Sequence, residues 1–313
     1  MNEHEQEHEQ VREQVREQEQ QRDPARKQKN GHLVIIGGGE DRKHDMHILA
    51  RFVELSGGAE ARIVVITAAS QIGDEMWKIY DDAFGALGVR QRRHLELNSR
   101  QDANSEETVR MVVEATGIFM TGGDQKRLLA LIGGTALDAE MHAALKLRGA
   151  TIGGTSAGAS AMSGHMLAQG RTDLLPEKGS VSLGAGLGFL HRVIVDQHFS
   201  ERQRLSRLLS IVAANPYLQG IGIDEDTALV IERGVGIEVL GEGAVTVVDG
   251  RTMITNLAEI KDRATPELID VRLHLLPSGT KYCLSSADAP PGQRLPAPLL
   301  DFLENVTKRT PMS

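Results

Sequence analysis

The sequence predicts an α/β protein in which a mostly parallel sheet is sandwiched by helices, with an antiparallel β extension toward the C-terminus. Short apolar runs alternate with longer segments of helical spacing after residue 31, which is the rhythm of βαβ units. The runs are apolar on both faces, as expected for strands that helices cover on both sides. Closely spaced strand-like pieces with glycine turns follow from residue 220 onward, and they favour antiparallel pairing there.

Each element has its own signal along the chain. The runs HLVIIGGG, RIVVITAAS, GIFMTGG and GATIGGT predict parallel strands, and helical spacing predicts helices over residues 45–55, 74–87 and 124–131. The run HRVIVDQH predicts one more strand, followed by a helix. The β extension is predicted from GIGID, TALVIE, GIEVL, AVTVVDG and LIDVRLHLL, and a last helix from LLDFLENVTKR.

The first 30 residues repeat Glu-Gln and offer almost nothing that could enter a core. This composition predicts a disordered low-complexity tail over residues 1–30, although Glu, Gln and Arg also suit a solvated helix. Residues 31–313 are predicted to form a single α/β catalytic domain. The tail lacks the apolar stretch of roughly 7–15 residues that a secretory signal needs, and Cys283 is the single cysteine. Both observations favour a cytoplasmic protein.

Composition excludes several classes of partner. The net charge is −8, with 43 acidic and 35 basic residues, so there is no nucleic-acid signature. No run approaches the roughly 20 apolar residues of a membrane helix. GGGEDR lacks the last glycine of G-x-G-x-x-G, there is no Walker A motif, and HDMH has no further zinc ligands nearby. We therefore expect no nucleic acid, no membrane, no cofactor and no metal.

The stretch GGTSAGAS carries the strongest chemical signal. Gly154 and Gly158 flank Ser156 in a G-x-S-x-G pattern, which places a serine hydroxyl on a sharp strand-to-helix turn. Glycine is needed on both sides because the turn brings these positions close together. A helix over residues 157–163 would then offer the Ala157 N–H to an oxyanion. The competing interpretation is a turn that binds an anion or only packs closely.

A second oxyanion donor must come from another loop at the same edge of the sheet. Gly122 and Gly123 end the strand GIFM, and the carboxyl ends of parallel strands meet at one edge. Gly123 is therefore predicted to donate the second N–H.

A serine needs a base and a residue that orients the base. Among the histidines, His198 follows directly on a predicted strand, in VIVDQH, although a lone histidine there is more often structural. GIGIDEDTA offers Asp224, Glu225 and Asp226 at the end of the next strand. One of the three acids is expected to face the histidine while the others cap turns or stay solvated. Spacing alone does not choose among them.

Only His274 could serve the alternative chain order of serine, acid and histidine that α/β-hydrolases use.

The stretches GGTSAGAS, DQHFSERQRLSRLL and GIGIDEDTA, supported by IIGGGED and FMTGGDQ, resemble the cyanophycinase family of serine peptidases in order and spacing. That family is related to the aspartyl dipeptidase called peptidase E, and the likeness covers roughly residues 31–300. The resemblance implies a flavodoxin-like or class I glutamine-amidotransferase-like sandwich, usually as a homodimer. It makes Ser156 the nucleophile, His198 the general base and Glu225 the orienting acid.

The resemblance also implies a substrate, the polymer cyanophycin (multi-L-arginyl-poly-L-aspartate). Its poly-aspartate backbone carries arginine on the side-chain carboxyls, and cleavage from the chain end would release β-Asp-Arg dipeptides. The family pattern implies a pocket from six residues: Gln125, Asp196, Gln197, Arg202, Arg204 and Arg207.

The chemistry of these side chains suggests which substrate groups they meet. Asp196 would pair with a substrate guanidinium and the three arginines with carboxylates. Without the resemblance, arginines at helical spacing beside Glu201 would be interpreted as a solvated face.

Two other functions stay open at this point. A peptidase E-like aspartyl or isoaspartyl dipeptidase would use the same three residues, although the arginine cluster argues against it. A non-catalytic polymer-binding module would keep the fold without activity, although no member of the triad is missing from the sequence.

Overall fold

The computed structural model describes residues 31–171, 173–285 and 295–308. The predicted tail over residues 1–30 and most of the proline-rich stretch that begins at residue 286 lie outside the described residues. The strands are β1 (His32–Ile36), β2 (Arg62–Ile66), β3 (Gln91–Leu95), β4 (Gly117–Met120), β5 (Thr151–Thr155), β6 (His165–Gly170), β7 (Val181–Ala185), β8 (Val193–Gln197), β9 (Gln219–Ile223), β10 (Thr227–Glu232), β11 (Gly236–Gly241), β12 (Ala244–Asp249), β13 (Ile254–Thr255), β14 (Leu268–Ile269), β15 (Arg272–Pro277) and β16 (Lys281–Cys283). The α-helices are α1 (His47–Leu55), α2 (Gly73–Ala86), α3 (Glu106–Glu114), α4 (Gln125–Ile132), α5 (Ala136–Ala143), α6 (Ala157–Ala161), α7 (Leu205–Ala214) and α8 (Ala297–Thr307).

Eight strands form the central sheet, in the order β16-β11-β10-β1-β5-β4-β2-β3. The five strands from β1 to β3 in that order run parallel. β10, β11 and β16 continue the sheet in antiparallel fashion beside β1. The predicted fold class, a mostly parallel sheet between helices with an antiparallel extension, is confirmed.

A second sheet of four strands has the order β15-β12-β9-β8. β8 and β9 pair in parallel, and β12 and β15 add antiparallel strands. The sequence suggested that the strands before His198 and Asp224 end at the edge of the same sheet as the serine strand. The structure instead places them in this second sheet, and the chain crosses back into the central sheet between β9 and β10. Ladder partners depend on long-range packing, which apolar runs do not encode.

Two strand regions lack a clear apolar signal in the sequence. β3 is an edge strand whose residues QRRHL alternate between exposed and half-buried, with one fully buried side chain. β6 and β7 form a separate hairpin that is exposed or half-buried over much of its length. Edge strands and solvated hairpins tolerate polar residues on both faces, so their hydrophobic pattern is weak.

The predicted helices begin and end within one or two residues of the observed ones. A local cap explains where α4 starts, because Asp124 accepts the N–H of Lys126. The helix α3, which the sequence did not predict, is capped by Ser105, which accepts the N–H of Thr108. The helix after the serine is shorter than predicted and ends at Ala161.

Three packed layers bury the apolar side chains. On one face of the central sheet, α1 and α2 contribute to a cluster that contains Phe52, Tyr80, Phe84 and Phe119. On the other face, α3 to α6 and α8 share one cluster of buried side chains with strands of both sheets. α7 covers the far face of the second sheet around Leu208 and Ile211, among others.

Among the described residues, no single helix is long and apolar enough to cross a membrane. The segments Gln125–Ile132 and Ala136–Arg148 reach that length and composition only as a pair, and the pair is bent by 96°.

The aromatic cluster allows a test of the core. Phe119 is fully buried on β4, and its ring lies 5.3 Å from that of Phe52 and 5.5 Å from that of Phe84. We expect Phe119→Ala to lower the free energy of unfolding by about 3–5 kcal/mol, because the cavity cannot close among rigid rings. Denaturant titration followed by circular dichroism measures this. Ile72→Ala, at a side chain that is 53% exposed, is the control and should change the midpoint little.

Candidate active site

Ser156 lies on the sharp turn between β5 and α6. Its φ of 52° and ψ of −111° are unfavourable for a residue with a side chain. The flanking glycines make room for this turn: a Cβ on Gly154 would lie 2.7 Å from the backbone of Gly158, and a Cβ on Gly158 would lie 2.4 Å from the carbonyl oxygen of Met120. These close contacts are the steric reason that the sequence analysis gave for glycine at both positions.

His198 lies directly after β8, with a φ of 47°. Its backbone N–H donates to the carbonyl oxygen of Gly37, at 2.8 Å, in the loop after β1. The imidazole packs against Gly38, where a Cβ would lie only 2.3 Å from Cε1 of the ring. A side chain at that position would displace the histidine, and the φ of +102° at Gly38 also favours glycine.

Three side chains form a continuous chain of hydrogen bonds. Ser156 Oγ lies 3.0 Å from Nε2 of His198, and Nδ1 of the same ring lies 2.5 Å from Oε1 of Glu225. The histidine side chain is 12% exposed and the glutamate side chain 40% exposed, so solvent reaches the site. This arrangement lets the histidine take the serine proton while the carboxylate holds the ring and its tautomer.

The three consecutive acids have different hydrogen-bond partners in the structure. Only Glu225 faces the histidine. Asp224 accepts the backbone N–H of Ser200 at 3.1 Å, and Asp226 accepts that of Asp41 at 3.0 Å. The two aspartates therefore bind backbone N–H groups of distant segments, which differs from the two roles that the sequence left open for them.

The predicted oxyanion donors lie beside the serine. Ala157 is the first residue of α6, so no intrahelical carbonyl can accept its N–H. Gly122 is adjacent to the nucleophile, because a Cβ there would lie 3.4 Å from the Cβ of Ser156. Gly123 follows with a φ of +144°, and a Cβ there would lie 2.2 Å from the carbonyl oxygen of Ala69. Glycine is therefore required where this loop packs on the loop after β2.

Asp196, Arg204 and Arg207 form a buried ion cluster next to the histidine. Arg207 Nε donates to the carboxylate of Asp196 at 2.9 Å, and its Nη2 donates to the other carboxylate oxygen. Arg204 Nη1 lies 3.3 Å from that second oxygen and 3.0 Å from the side-chain oxygen of Gln197. Burial lowers the pKa of Arg204 to about 10, and the charge of Asp196 offsets only part of this effect. The solvated-face interpretation of these two arginines is wrong.

This cluster changes the expected role of Asp196. Both of its carboxylate oxygens already accept hydrogen bonds from the two arginines, and its side chain is 1% exposed. A substrate guanidinium would have to displace them, so this geometry does not fit the predicted pairing. Arg202 is exposed. Gln125, at the start of α4, donates its side-chain amide to the carbonyl oxygen of Leu167 at 3.0 Å.

Other candidates do not join the site. His274 lies on β15, opposite Val247 of β12, and burial lowers its pKa. The hydrolase-type arrangement through this histidine is not formed. Among the described residues, no group of three or more His, Cys, Asp or Glu side chains could hold a metal ion.

Sequence reasoning missed the role of the loop after β1. Residues 36–41, here called the glycine loop, contact the segments that carry all three predicted catalytic residues. In the sequence, the motif IIGGGED supported only the family resemblance and was given no structural role of its own. The available signal was the run of three glycines at the carboxyl end of a strand, where close approach of another chain segment is common.

The chain is similar in sequence to several known proteins. A family model described as "Peptidase family S51" matches residues 33–239. A cyanophycinase from Synechococcus elongatus is 41% identical over 269 residues, which cover 84% of this chain and 84% of that protein. A cyanophycinase from Geminocystis herdmanii is 40% identical over 255 residues, covering 80% of this chain and 92% of that protein. One from Nostoc is 36% identical over 257 residues, covering 80% and 85%.

Among solved structures, a peptidase from an acI-B1 Actinobacterium has the same fold. It superposes with a TM-score of 0.60 at 24% sequence identity, over 82% of this chain and 98% of that one.

The three adjacent acids provide a matched test of the hydrogen-bond chain. We expect Glu225→Gln to slow the reaction of Ser156 with a fluorophosphonate by ~10²-fold or more, because the histidine loses the group that holds its tautomer. Asp226→Asn is the control, since its amide oxygen can still accept the N–H of Asp41. Intact-mass spectrometry follows the labelling. Equal labelling rates for the two variants would show that Glu225 does not orient the histidine.

Proposed function

The chain belongs to peptidase family S51 and is a serine peptidase, and on that premise we propose that it is an exopeptidase that hydrolyses cyanophycin to β-Asp-Arg dipeptides. The observation that carries the mechanism is the hydrogen-bond chain from Ser156 through His198 to Glu225. The names of the relatives, which are cyanophycinases at 36% to 41% identity, support the substrate.

In the proposed reaction, Ser156 Oγ attacks a backbone carbonyl between two aspartyl units. His198 Nε2 accepts the serine proton, and the N–H groups of Ala157 and Gly123 stabilise the oxyanion. The tetrahedral intermediate then collapses to an acyl-enzyme, and the imidazolium gives its proton to the leaving amine. A water molecule, deprotonated by the same imidazole, attacks the ester and releases the product and the serine.

The proposed pocket combines exposed and buried cations. Arg202 is exposed and available to a substrate carboxylate, while Gln125 and Gln197 add neutral hydrogen-bonding groups. Arg204 and Arg207 would present positive charge from a fixed position, because Asp196 holds both guanidiniums. In this scheme the aspartate orients the arginines rather than binding substrate directly.

The direct test uses insoluble cyanophycin as substrate. Wild-type protein should clear the suspension and release β-Asp-Arg, identified by mass, while Ser156→Ala should lose at least ~10³-fold in rate. Ser160→Ala is the matched control, because it removes a buried hydroxyl from the same short helix and should leave the rate nearly unchanged.

Two other results would overturn the substrate assignment. Faster cleavage of soluble Asp-X dipeptides than of the polymer would indicate the aspartyl dipeptidase. Binding of the polymer by folded protein without release of any product would indicate the polymer-binding module.

The same proposal includes a homodimer and a cytoplasmic location. α7, β15 and residues 173–176 line a cavity of about 620 Å³ next to the site. Leu174, Leu273 and Leu275 at this cavity are 92%, 51% and 62% exposed, and adjacent exposed apolar side chains of this kind can mark an interaction surface. A highly charged polymer does not match this apolar surface. β15 is an edge strand, so antiparallel pairing of two copies would bring their leucines together.

In the cytoplasm the buried thiol of Cys283 would need no disulfide partner.

Light scattering after size-exclusion chromatography tests the dimer. Wild-type protein should have twice the mass of one chain, and Leu273→Asp combined with Leu275→Asp should have the mass of one chain, because charges would be buried at the interface. Ile72→Asp, on a different exposed apolar side chain, should stay dimeric. Wild-type protein with the mass of a single chain would exclude this interface.

A further inference from the structure

A buried carboxylate lies beneath the nucleophile and has no part in the proposed mechanism. Glu40 is 3% exposed, and each of its two carboxylate oxygens accepts one hydrogen bond. Thr155 Oγ1 donates to Oε2 at 2.6 Å, and the hydroxyl of Tyr80 donates to Oε1. A carboxylate at this depth is costly unless donors satisfy it, so the two hydroxyls are what allow Glu40 to occupy this position.

The Thr155–Glu40 hydrogen bond joins the last residue of β5 to the glycine loop. Thr155 immediately precedes Ser156, whose φ and ψ are strained. Glu40 follows Gly37 and Gly38, which contact the backbone and the ring of His198, and Gly39, which lies against Glu225. The bond therefore joins the nucleophile's turn to the loop that sets the position of the base. A strained turn keeps its geometry only when its surroundings determine it.

Tyr80 fixes the carboxylate to the core. Its ring lies 4.9 Å from that of Phe119 and 6.2 Å from that of Phe84, and the guanidinium of Arg42 lies 5.7 Å from its centroid. Burial, together with the neighbouring Glu40, raises the pKa of Tyr80 well above its usual value. The phenol therefore stays protonated and remains a donor. Glu40 is held on one side by rigid aromatic packing and holds Thr155 on the other.

We propose that Glu40 is a positioning residue for the Ser156 nucleophile and that it acts through the hydroxyl of Thr155. This inference rests on the proposed function of Ser156 and His198. It deepens that function by naming the two residues that keep the serine hydroxyl within reach of the imidazole. Because Glu40 and Thr155 do not contact the substrate in this scheme, their loss should affect turnover and leave substrate affinity nearly unchanged.

Substitutions at Thr155 isolate this hydrogen bond. Thr155→Val has nearly the same shape without the hydroxyl, and we expect kcat to fall by ~10- to 100-fold with KM changed less than ~3-fold, as for a small misplacement of a reacting group. Thr155→Ser restores the donor and should recover most of the rate. The matched control is Thr151→Val on the same strand. Thr151 is also buried, but its hydroxyl has no hydrogen-bond partner in the described part of the chain.

A double-variant cycle tests whether Glu40 acts through Thr155. Glu40→Gln should slow turnover as well, and the combination of Glu40→Gln with Thr155→Val should be no slower than the slower single variant. Two independent effects would multiply instead, and that result would overturn the inference. Circular dichroism and thermal melts confirm that each variant is folded before rates are compared.

The second readout is the labelling rate of Ser156 by a fluorophosphonate, which does not depend on the identity of the substrate. If wild type is labelled and Thr155→Val is labelled equally fast, the positioning role is wrong and the proposed function stands. If wild type is labelled but does not cleave cyanophycin, the substrate is wrong, and the labelling rates still decide the role of Glu40. If wild type is not labelled at Ser156, the proposed nucleophile and the inference fail together.

Discussion

The glycine loop is the structural element on which the site depends. The backbone N–H of Ser156 donates to the carbonyl oxygen of Ile36 at 3.0 Å, and that of His198 donates to Gly37 at 2.8 Å. The N–H of Asp226, next to Glu225, donates to Gly38 at 2.8 Å. Three segments distant in sequence thus share consecutive carbonyls of one loop. Consecutive carbonyl groups have a nearly fixed separation along the chain. The three hydrogen bonds therefore constrain how far apart the backbone segments of Ser156, His198 and Glu225 lie.

This arrangement is made from unfavourable local conformations. Ser156, His198 and Asp226 have φ values of 52°, 47° and 43°, each positive for a residue with a side chain. Two sheets meet at this point, and each contributes a strand that leads into the site: β5 from the central sheet and β8 from the second. Side chains of both sheets are buried in one shared core, and this burial offsets the local conformational cost at the site.

The electrostatics of the site are divided between two buried carboxylates. Asp196 binds the guanidiniums of Arg204 and Arg207, and Glu40 binds the hydroxyls of Thr155 and Tyr80. Neither belongs to the hydrogen-bond chain from serine to glutamate, but Asp196 lies two positions before His198 and Glu40 binds the residue that precedes Ser156. Buried ionisable groups of this kind are costly to desolvate and are tolerated where they fix the orientation of their neighbours.

The sequence determined the α/β class, the turn at Ser156 and the choice of His198, because each depends on local chemistry: strand hydrophobicity, glycine sterics and a polar residue at a strand end. It left the three acids unresolved, since neighbouring residues have the same composition and differ only in the direction of their side chains. It gave no sign that β8 and β9 form their own sheet, or that Glu40 contacts Thr155, 115 positions away. These features depend on which distant segments pack together, and tertiary structure alone decides that because local pattern does not specify long-range pairing.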